Sequence, residues 1–226
     1  MPKPVMTLDE RGNEVLITPP MGTWITRYFL DVVDFADPAI PTVRKPVNIP
    51  GELRGLSHQG EVIYTAAPVW DPVTLTTDWK EYIQASAYDG VSARLIDAVP
   101  LPESWPRESR VQEGRVLISK PGDKASSAKI EVWKLGGAGK FELRSVANLS
   151  GNADGLALGS DWIGVLQGGG KLEFFRWQPA DALVKVGTGI FSSCTWLDMT
   201  KLAGSPEEGF WVPNGAYGIG TIAVKP

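Results

Sequence analysis

Few side chains in this sequence have the type and spacing that catalysis needs. His58 is the only histidine, so zinc sites that use two histidines are excluded within the chain, and a Ser-His-Asp arrangement can be built only on this residue. No serine, cysteine or carboxylate lies at a sequence spacing from His58 that would indicate a catalytic arrangement. We therefore favour a solvated turn histidine over a base or ligand at the end of a central channel. Cys194 is the only cysteine, which we interpret as a small apolar residue on a strand.

Carboxylates offer a second kind of chemistry. Asp31, Asp34 and Asp37 recur every three residues, a spacing that could bring oxygen ligands to a calcium ion. We favour the alternative, in which they accept hydrogen bonds from turn amides, because Asp37 precedes Pro38. Other loop carboxylates could converge in space as the site of a hydrolase or lyase: Asp71, Asp78, Asp154 and Asp161.

Two long loops carry the residues best suited to binding. Residues 68–80 combine Trp70 and Trp79 with Asp71 and Asp78, and aromatic faces beside acceptors suit a sugar or a peptide. A folded-back loop without a ligand is the simpler alternative. Residues 100–110 hold Trp105 and Arg107, side chains that are favoured at protein interfaces, among the mixed charges Glu103, Glu108 and Arg110. A solvated loop explains this second segment equally well.

The elements that would position these loops follow a repeat. Five segments place apolar residues two apart, and turn formers bound them, as in a buried strand: 12–20, 60–68, 114–122, 161–169 and 208–216. Their anchor residues stand 47 residues apart in three intervals and 54 in the other, where 68–80 supplies about seven extra residues. This regular spacing predicts one structural unit per segment.

Each repeated segment has further strands around it. A weaker strand precedes it (5–8, 53–56, 109–111, 156–158 and 195–199), and an apolar one follows (27–34, 81–89, 129–136, 171–178 and 219–226). A fourth strand completes the first four units (42–49, 92–99, 140–146 and 182–186). Four strands per 40–50 residues predict a single all-β domain over residues 1–226, with the architecture of a β-propeller of about five four-stranded blades. The predicted units lie near residues 1–49, 50–99, 100–147, 148–187 and 188–226. A β-sandwich with regular turns is the alternative.

The fifth unit lacks its outer strand. We expect an open strand edge at residues 219–226, which a partner chain would complete, or which the rest of a larger propeller would complete if this chain is its C-terminal part. A three-stranded blade guarded by Lys225 is the third possibility.

One stretch resembles a known family. Residues 28–67 contain a Val-Asp strand end, the turns Asp37-Pro38, Ile40-Pro41 and Ile49-Pro50-Gly51, and a strand from Gly60 to Tyr64. This pattern resembles the LVIVD-type β-propeller repeat of bacterial and archaeal surface or secreted proteins. The resemblance implies a non-catalytic, extracytoplasmic propeller that binds or displays. The third and fourth units lack the Asp-Pro turn, so the likeness there extends only to a generic blade.

Composition excludes several classes of function. A net charge of −4, with no run of Lys or Arg, argues against nucleic-acid binding. No apolar run approaches the ~20 residues of a membrane span. The N-terminal residues have no apolar core, so no signal peptide is predicted. Two glycine clusters, 136–139 and 168–170, lack the strand-to-helix setting of a phosphate loop and are predicted hairpin turns.

Three functions remain for the chain. We favour a non-catalytic binding or scaffold module of a bacterial extracytoplasmic or surface protein, which engages a protein partner through its rim loops or open strand edge and needs no cofactor. The alternatives are a hydrolase or lyase with a carboxylate or metal site at the central channel, and an accessory subunit of a larger complex.

Overall fold

The computed structural model describes residues 5–8, 14–17, 28–57, 59–70, 77–104, 108–123, 127–191, 199, 202–213 and 219–225. At 5–8, 14–17, 69–70 and 77–79 only the backbone is described. These residues form strands and turns, with two short 3-10 turns at Gly168–Gly170 and Pro179–Asp181 and no α-helix. The described part of the chain contains no helix of the length and apolarity that a membrane crossing requires. The all-β class is therefore confirmed.

The chain folds into two compact units, residues 1–101 with 135–141, and residues 102–134 with 142–226. The first unit holds ten strands, which are β1 (Val5–Leu8), β2 (Glu14–Ile17), β3 (Tyr28–Leu30), β4 (Val33–Asp34), β5 (Thr42–Val43), β6 (Val47–Ile49), β7 (Glu52–Leu56), β8 (Val62–Trp70), β9 (Thr77–Tyr88) and β10 (Ala93–Pro100). Strands β7 to β10 form one antiparallel sheet in chain order.

The second unit is built around three sheets. Their strands are β11 (Ser109–Gln112), β12 (Arg115–Lys120), β13 (Lys129–Leu135), β14 (Phe141–Asn148), β15 (Ala153–Leu158), β16 (Trp162–Gln167), β17 (Lys171–Gln178), β18 (Ala182–Ile190), β19 (Ala203–Ser205), β20 (Gly209–Pro213) and β21 (Ile219–Ile222). Strands β11 to β14 and β15 to β18 form four-stranded sheets, and β19 to β21 form a three-stranded one. Each sheet keeps chain order, so strands that follow one another in the chain are neighbours in the sheet. Both predicted glycine turns lie in such hairpins, 136–139 between β13 and β14 and 168–170 between β16 and β17.

The first predicted unit differs from a four-stranded sheet. Its described residues form the β1–β2 pair and a separate hairpin, in which β3 pairs with β6 and β4 with β5. The hairpin splits because Pro46, which lies between β5 and β6, has no N–H to donate to the ladder. One face of this hairpin is buried: Val47 and Ile49 pack against Ile63 of β8.

The fifth unit also differs from the prediction. The strand that pairs with β20 is β19, Ala203–Ser205, and not the predicted segment 195–199. A tight turn at 206–208 joins the two strands, and Gly209 follows it with φ near 83°. Of the predicted segment only Met199 lies within the described residues, and its side chain is buried in the core.

The core of the second unit lies on both faces of the β15–β18 sheet. On one face Ile163, Val165 and Phe175 pack against Leu117 and Ile130 of the β11–β14 sheet. On the other face Leu172 and Phe174 pack against residues of the β19–β21 sheet, which are Phe210, Val212 and Ile222. Strand β17 is therefore buried on both sides for four consecutive residues, from Leu172 to Phe175. A sheet covered on both faces needs continuous apolar strands, and the sequence LEFFRW supplies one.

Three aromatic rings hold the last two sheets together. Phe174 and Phe210 stack with centroids 4.5 Å apart and planes 8° apart. Trp162 meets Phe210 edge-on at 4.7 Å. Such pairs add about 0.5–1.5 kcal/mol each to the free energy that burial supplies.

Replacing Phe210 with alanine tests this packing. The substitution removes a ring that is 1% exposed and leaves a cavity between two sheets, so we expect the free energy of unfolding to fall by about 3–5 kcal/mol. Urea denaturation measures the change. Leu143→Ala on the half-exposed face of β14 is the matched control, with an expected loss of under about 1 kcal/mol. Equal losses in the two variants would contradict the proposed core.

Candidate functional site

The predicted rim residues of the first unit lie at one end of its sheet. Trp70 ends β8, and Asp78 and Trp79 belong to the start of β9. Trp70 pairs with Thr77 across the hairpin, and Pro100 at the end of β10 pairs with Tyr82, so the end of β10 lies at this same end of the sheet. The backbone thus brings the two tryptophans and Asp78 near one another.

Other predicted residues lie outside the described part of the chain. They are Asp71, Trp105, Arg107, His58 and Cys194. Their proposed roles stay predictions.

Two of the three aspartates considered for calcium, Asp34 and Asp37, accept hydrogen bonds from turn amides. Asp34 accepts a hydrogen bond from the Ala36 N–H at 2.9 Å and pairs with Arg44 at 2.6 Å. The hydrogen bond from Arg44 holds the pKa of Asp34 below its ordinary value. Asp37 accepts from the Ala39 N–H at 3.0 Å and so closes the tip of the hairpin. These contacts support the turn-capping interpretation.

The described carboxylates do not gather into a metal centre. Within the described residues no group of three or more His, Cys, Asp or Glu side chains could hold a metal ion. Asp161 pairs with Arg176 at 3.3 Å, and Asp154 is exposed on β15. Arg176 also pairs with Glu207, so this cluster joins β17 to the turn before β20.

Two buried glutamates were missed by the sequence analysis. Glu131 and Glu173 each occupy the third position of the third strand in their sheet. Glu131 pairs with Lys120 at 2.8 Å and Lys129 at 3.2 Å. Glu173 pairs with Lys185 and also accepts the Gln167 amide at 2.8 Å. The segments KIE and KLE at the start of β13 and β17 are the same Lys-apolar-Glu pattern, which is also common in exposed strands and so does not reveal that the two glutamates are buried.

A serine beside a lysine accompanies Glu173. The Lys171 ammonium donates to the Ser150 hydroxyl at 2.6 Å, and that hydroxyl donates to the Gln167 carbonyl oxygen at 3.0 Å. A serine nucleophile would need to give its proton to its base. Here the lysine is the donor and the serine proton faces an amide, so the pair is not arranged for nucleophilic attack.

A third buried carboxylate, Asp181, lies in the 3-10 turn between β17 and β18. Arg115 contacts it at 2.7 Å, Lys134 at 3.4 Å and Arg144 at 3.8 Å, one residue from each of β12, β13 and β14. Its φ of 61° is unusual for a residue with a side chain, and the Ser145 hydroxyl donates to its carbonyl oxygen at 2.6 Å. These contacts tie the turn to the neighbouring sheet.

The direction of the pKa shift in these carboxylates does not favour a role as general acids. Burial alone would raise the pKa of Glu131, Glu173 and Asp181, but the hydrogen bonds and charges of their cationic partners outweigh it and lower all three. A general acid near neutral pH needs a raised carboxyl pKa. The three groups are therefore stabilising ion pairs.

The edge of β21 is the feature of the second unit that we consider for binding. Among the described residues β21 pairs only with β20, so its sheet has three strands where the preceding ones have four. Its sequence, IGTI, has no charged residue and no proline. The outermost strands of the three four-stranded sheets carry such residues: Arg94, Asp97 and Pro100 in β10, Glu142 and Arg144 in β14, and Lys185 in β18. Charges and prolines on an edge discourage strand pairing, and β21 lacks this protection.

The residues after β21 leave its sheet and join another. Thr188 of β18 and Lys225 exchange two backbone hydrogen bonds of 2.7 Å. Gly187 makes room for this contact, because a Cβ there would lie 2.5 Å from Val224 and 2.7 Å from the Lys225 carbonyl oxygen. Lys225 thus covers part of the β18 edge and does not extend β21.

No family model matches the chain, and neither does any curated protein. The resemblance of residues 28–67 to the LVIVD-type repeat therefore stays a hypothesis.

The substitution Glu173→Gln tests the role of the buried glutamate. Because folding lowers the pKa of Glu173, its ionisation stabilises the fold at pH values above about 4.3, its ordinary unfolded value, and this stability is lost as the pH falls through the folded pKa. We expect the variant to be less stable by about 1–3 kcal/mol at pH 7, with a difference that shrinks below pH ~4.

Urea denaturation at several pH values measures this difference. Glu142→Gln is the matched control, since Glu142 pairs with Arg144 at 2.8 Å on the exposed surface and should contribute under about 1 kcal/mol. A stability difference for Glu173→Gln that did not change with pH would show that the charge of Glu173 is not what stabilises the fold.

Proposed function

We propose that the chain is a non-catalytic β-propeller module of a bacterial extracytoplasmic or surface protein, and that it binds a protein partner by adding a partner strand to β21. The observation that carries the proposal is the β21 edge. In the described part of the chain its sheet has three strands where the two preceding sheets of the second unit have four, and β21 has neither a charged residue nor a proline. Backbone hydrogen bonds along an open edge give affinity to an extended segment. The proposed extracytoplasmic location rests on the resemblance of residues 28–67 to a repeat of surface and secreted proteins.

The stacking of sheets supports the propeller part of this proposal. Three successive sheets keep chain order, and in the second unit they pack face to face through apolar clusters. Blades of a propeller have this strand order and this packing. Glu131 and Glu173 at matching positions of two sheets are what a repeated unit would produce.

An enzyme has less support among the described residues. The buried carboxylates have lowered pKa values, and Asp161 is engaged by Arg176. An accessory subunit of a larger complex would use the same edge, so the experiment below tests that function as well.

Hydrogen exchange with a strand peptide tests the edge. The probe is a synthetic peptide KFELRSVAN, residues 140–148, which contains β14, the outermost strand of a complete sheet. We expect the exposed amides of β21 to exchange roughly tenfold more slowly when the peptide binds, because the peptide backbone accepts hydrogen bonds from them. Mass spectrometry of peptic fragments locates the change.

Two controls accompany this experiment. The edges of β10 and β14 in the same protein carry charges and should gain no protection, and a peptide with prolines at alternate positions should have no effect. Protection that is equal at all of these edges, or that is absent from β21 at millimolar peptide, would rule out strand addition at β21.

A further inference from the structure

Two hydroxyl groups of the first unit are buried without a hydrogen-bond partner. Thr65 on β8 and Ser86 on β9 both have an exposed fraction of 0%. Among the described residues, neither the Thr65 Oγ1 atom nor the Ser86 Oγ atom has a partner for a hydrogen bond. Buried hydroxyls in native proteins nearly always have one, which is either another protein group or an ordered water. These two atoms therefore point to a bound molecule.

The register of the sheet places both hydroxyls on the same face. Thr65 is two residues from Ile63 on β8, so these two side chains point to the same side of the sheet. Ser86 pairs directly with Ile63, and Gln84 pairs directly with Thr65. Directly opposite residues of an antiparallel pair share a face, so Thr65, Gln84 and Ser86 form one polar group there. We call these three residues the hydroxyl site.

The hairpin of residues 28–49 covers this face of the sheet. Val47 and Ile49 on β6 pack against Ile63, and all three side chains are buried. Because Ser86 is the direct neighbour of Ile63, its hydroxyl lies in the layer between the hairpin and the sheet. Both elements belong to the first compact unit. The hydroxyl site is therefore an interior feature of that unit.

We propose that the hydroxyl site binds one internal water molecule, which bridges Thr65 Oγ1 and Ser86 Oγ beneath the hairpin. Diagonal neighbours of this kind have Cβ atoms less than about 7–8 Å apart, and one water with two hydrogen bonds of ~2.8 Å can bridge hydroxyls that point towards each other. Gln84, which is 4% exposed and opposite Thr65, can supply a third hydrogen bond, and internal waters typically make about three. None of the three side chains is charged, so the site suits a neutral molecule and not an ion.

Oxygen-17 relaxation dispersion of the solvent, which counts long-lived internal waters, tests the proposal directly. The wild-type chain should hold one more such water than Thr65→Val, because valine lacks the hydroxyl that anchors the water. Ser86→Ala should lose the same water. Near-ultraviolet circular dichroism confirms that each variant is folded. Retention of the full number of waters in either variant would overturn the proposal.

Urea denaturation of the same variants gives a second measurement. With a bridging water, each single substitution leaves the other hydroxyl short of a partner and should raise the equilibrium constant of unfolding roughly fivefold. The double variant removes both hydroxyls and the water, so its effect should be smaller than the product of the two single effects. Hydroxyls without any bound molecule would give the opposite result, in which each substitution lowers the unfolding constant and the two effects multiply.

Ser119→Ala is the matched control. Ser119 on β12 is 1% exposed, and its hydroxyl accepts the Glu108 N–H at 2.7 Å, so its partner is a protein group. This variant should also lose stability, but it should keep the wild-type number of internal waters. Loss of a water from Ser119→Ala as well would show that the count follows stability and not the hydroxyl site, and would contradict the proposal.

Discussion

Apolar contact between the faces of neighbouring sheets is the interaction on which the second unit depends. The β15–β18 sheet has no polar face, because Ile163 and Val165 cover one side and Leu172 and Phe174 the other. A sheet of this kind is stable only between two partners. The stacked rings of Phe174 and Phe210 show how close that contact is.

The same constraint explains where the charges lie. Glu131, Glu173 and Asp181 are buried, and each has cationic side chains around it. A buried carboxylate without such partners would cost several kcal/mol. The three buried carboxylates are therefore compensated locally by cationic side chains.

Much of the fold could be predicted from the sequence. Alternating apolar residues between turn formers located β8, β12, β16 and β20, since these strands face apolar neighbours on one or both sides. Strand β19 was missed because Ala203–Ser205 is short and has no apolar pattern; its place is set by the turn at 206–208 and by Gly209. The first hairpin is divided into two strand pairs at Pro46. This division could not be predicted, because it depends on which residues pair across the hairpin, and the sequence does not show that register.

The candidate site was less predictable. A sheet one strand short was predicted from counting strands, and β19–β21 form a three-stranded sheet among the described residues. The burial of Glu131 and Glu173 was not predicted, because Lys-apolar-Glu is also an ordinary pattern for an exposed strand. Only the stacking of a second sheet reveals that Glu173 is enclosed. The exposure of Phe29 and Val43 also could not be predicted, because it depends on which face of the hairpin packs against Ile63 of β8.

Native-state hydrogen exchange of the isolated chain tests the central claim most directly. If sheets stack on both sides of β15–β18 and leave β21 open, the amides of β16 and β17 will exchange only through global unfolding, while alternate amides of β21 exchange orders of magnitude faster, on the order of 10³-fold. Uniform protection from β16 through β21 would contradict the open edge. Fast exchange in β16 and β17 would contradict the stacked core.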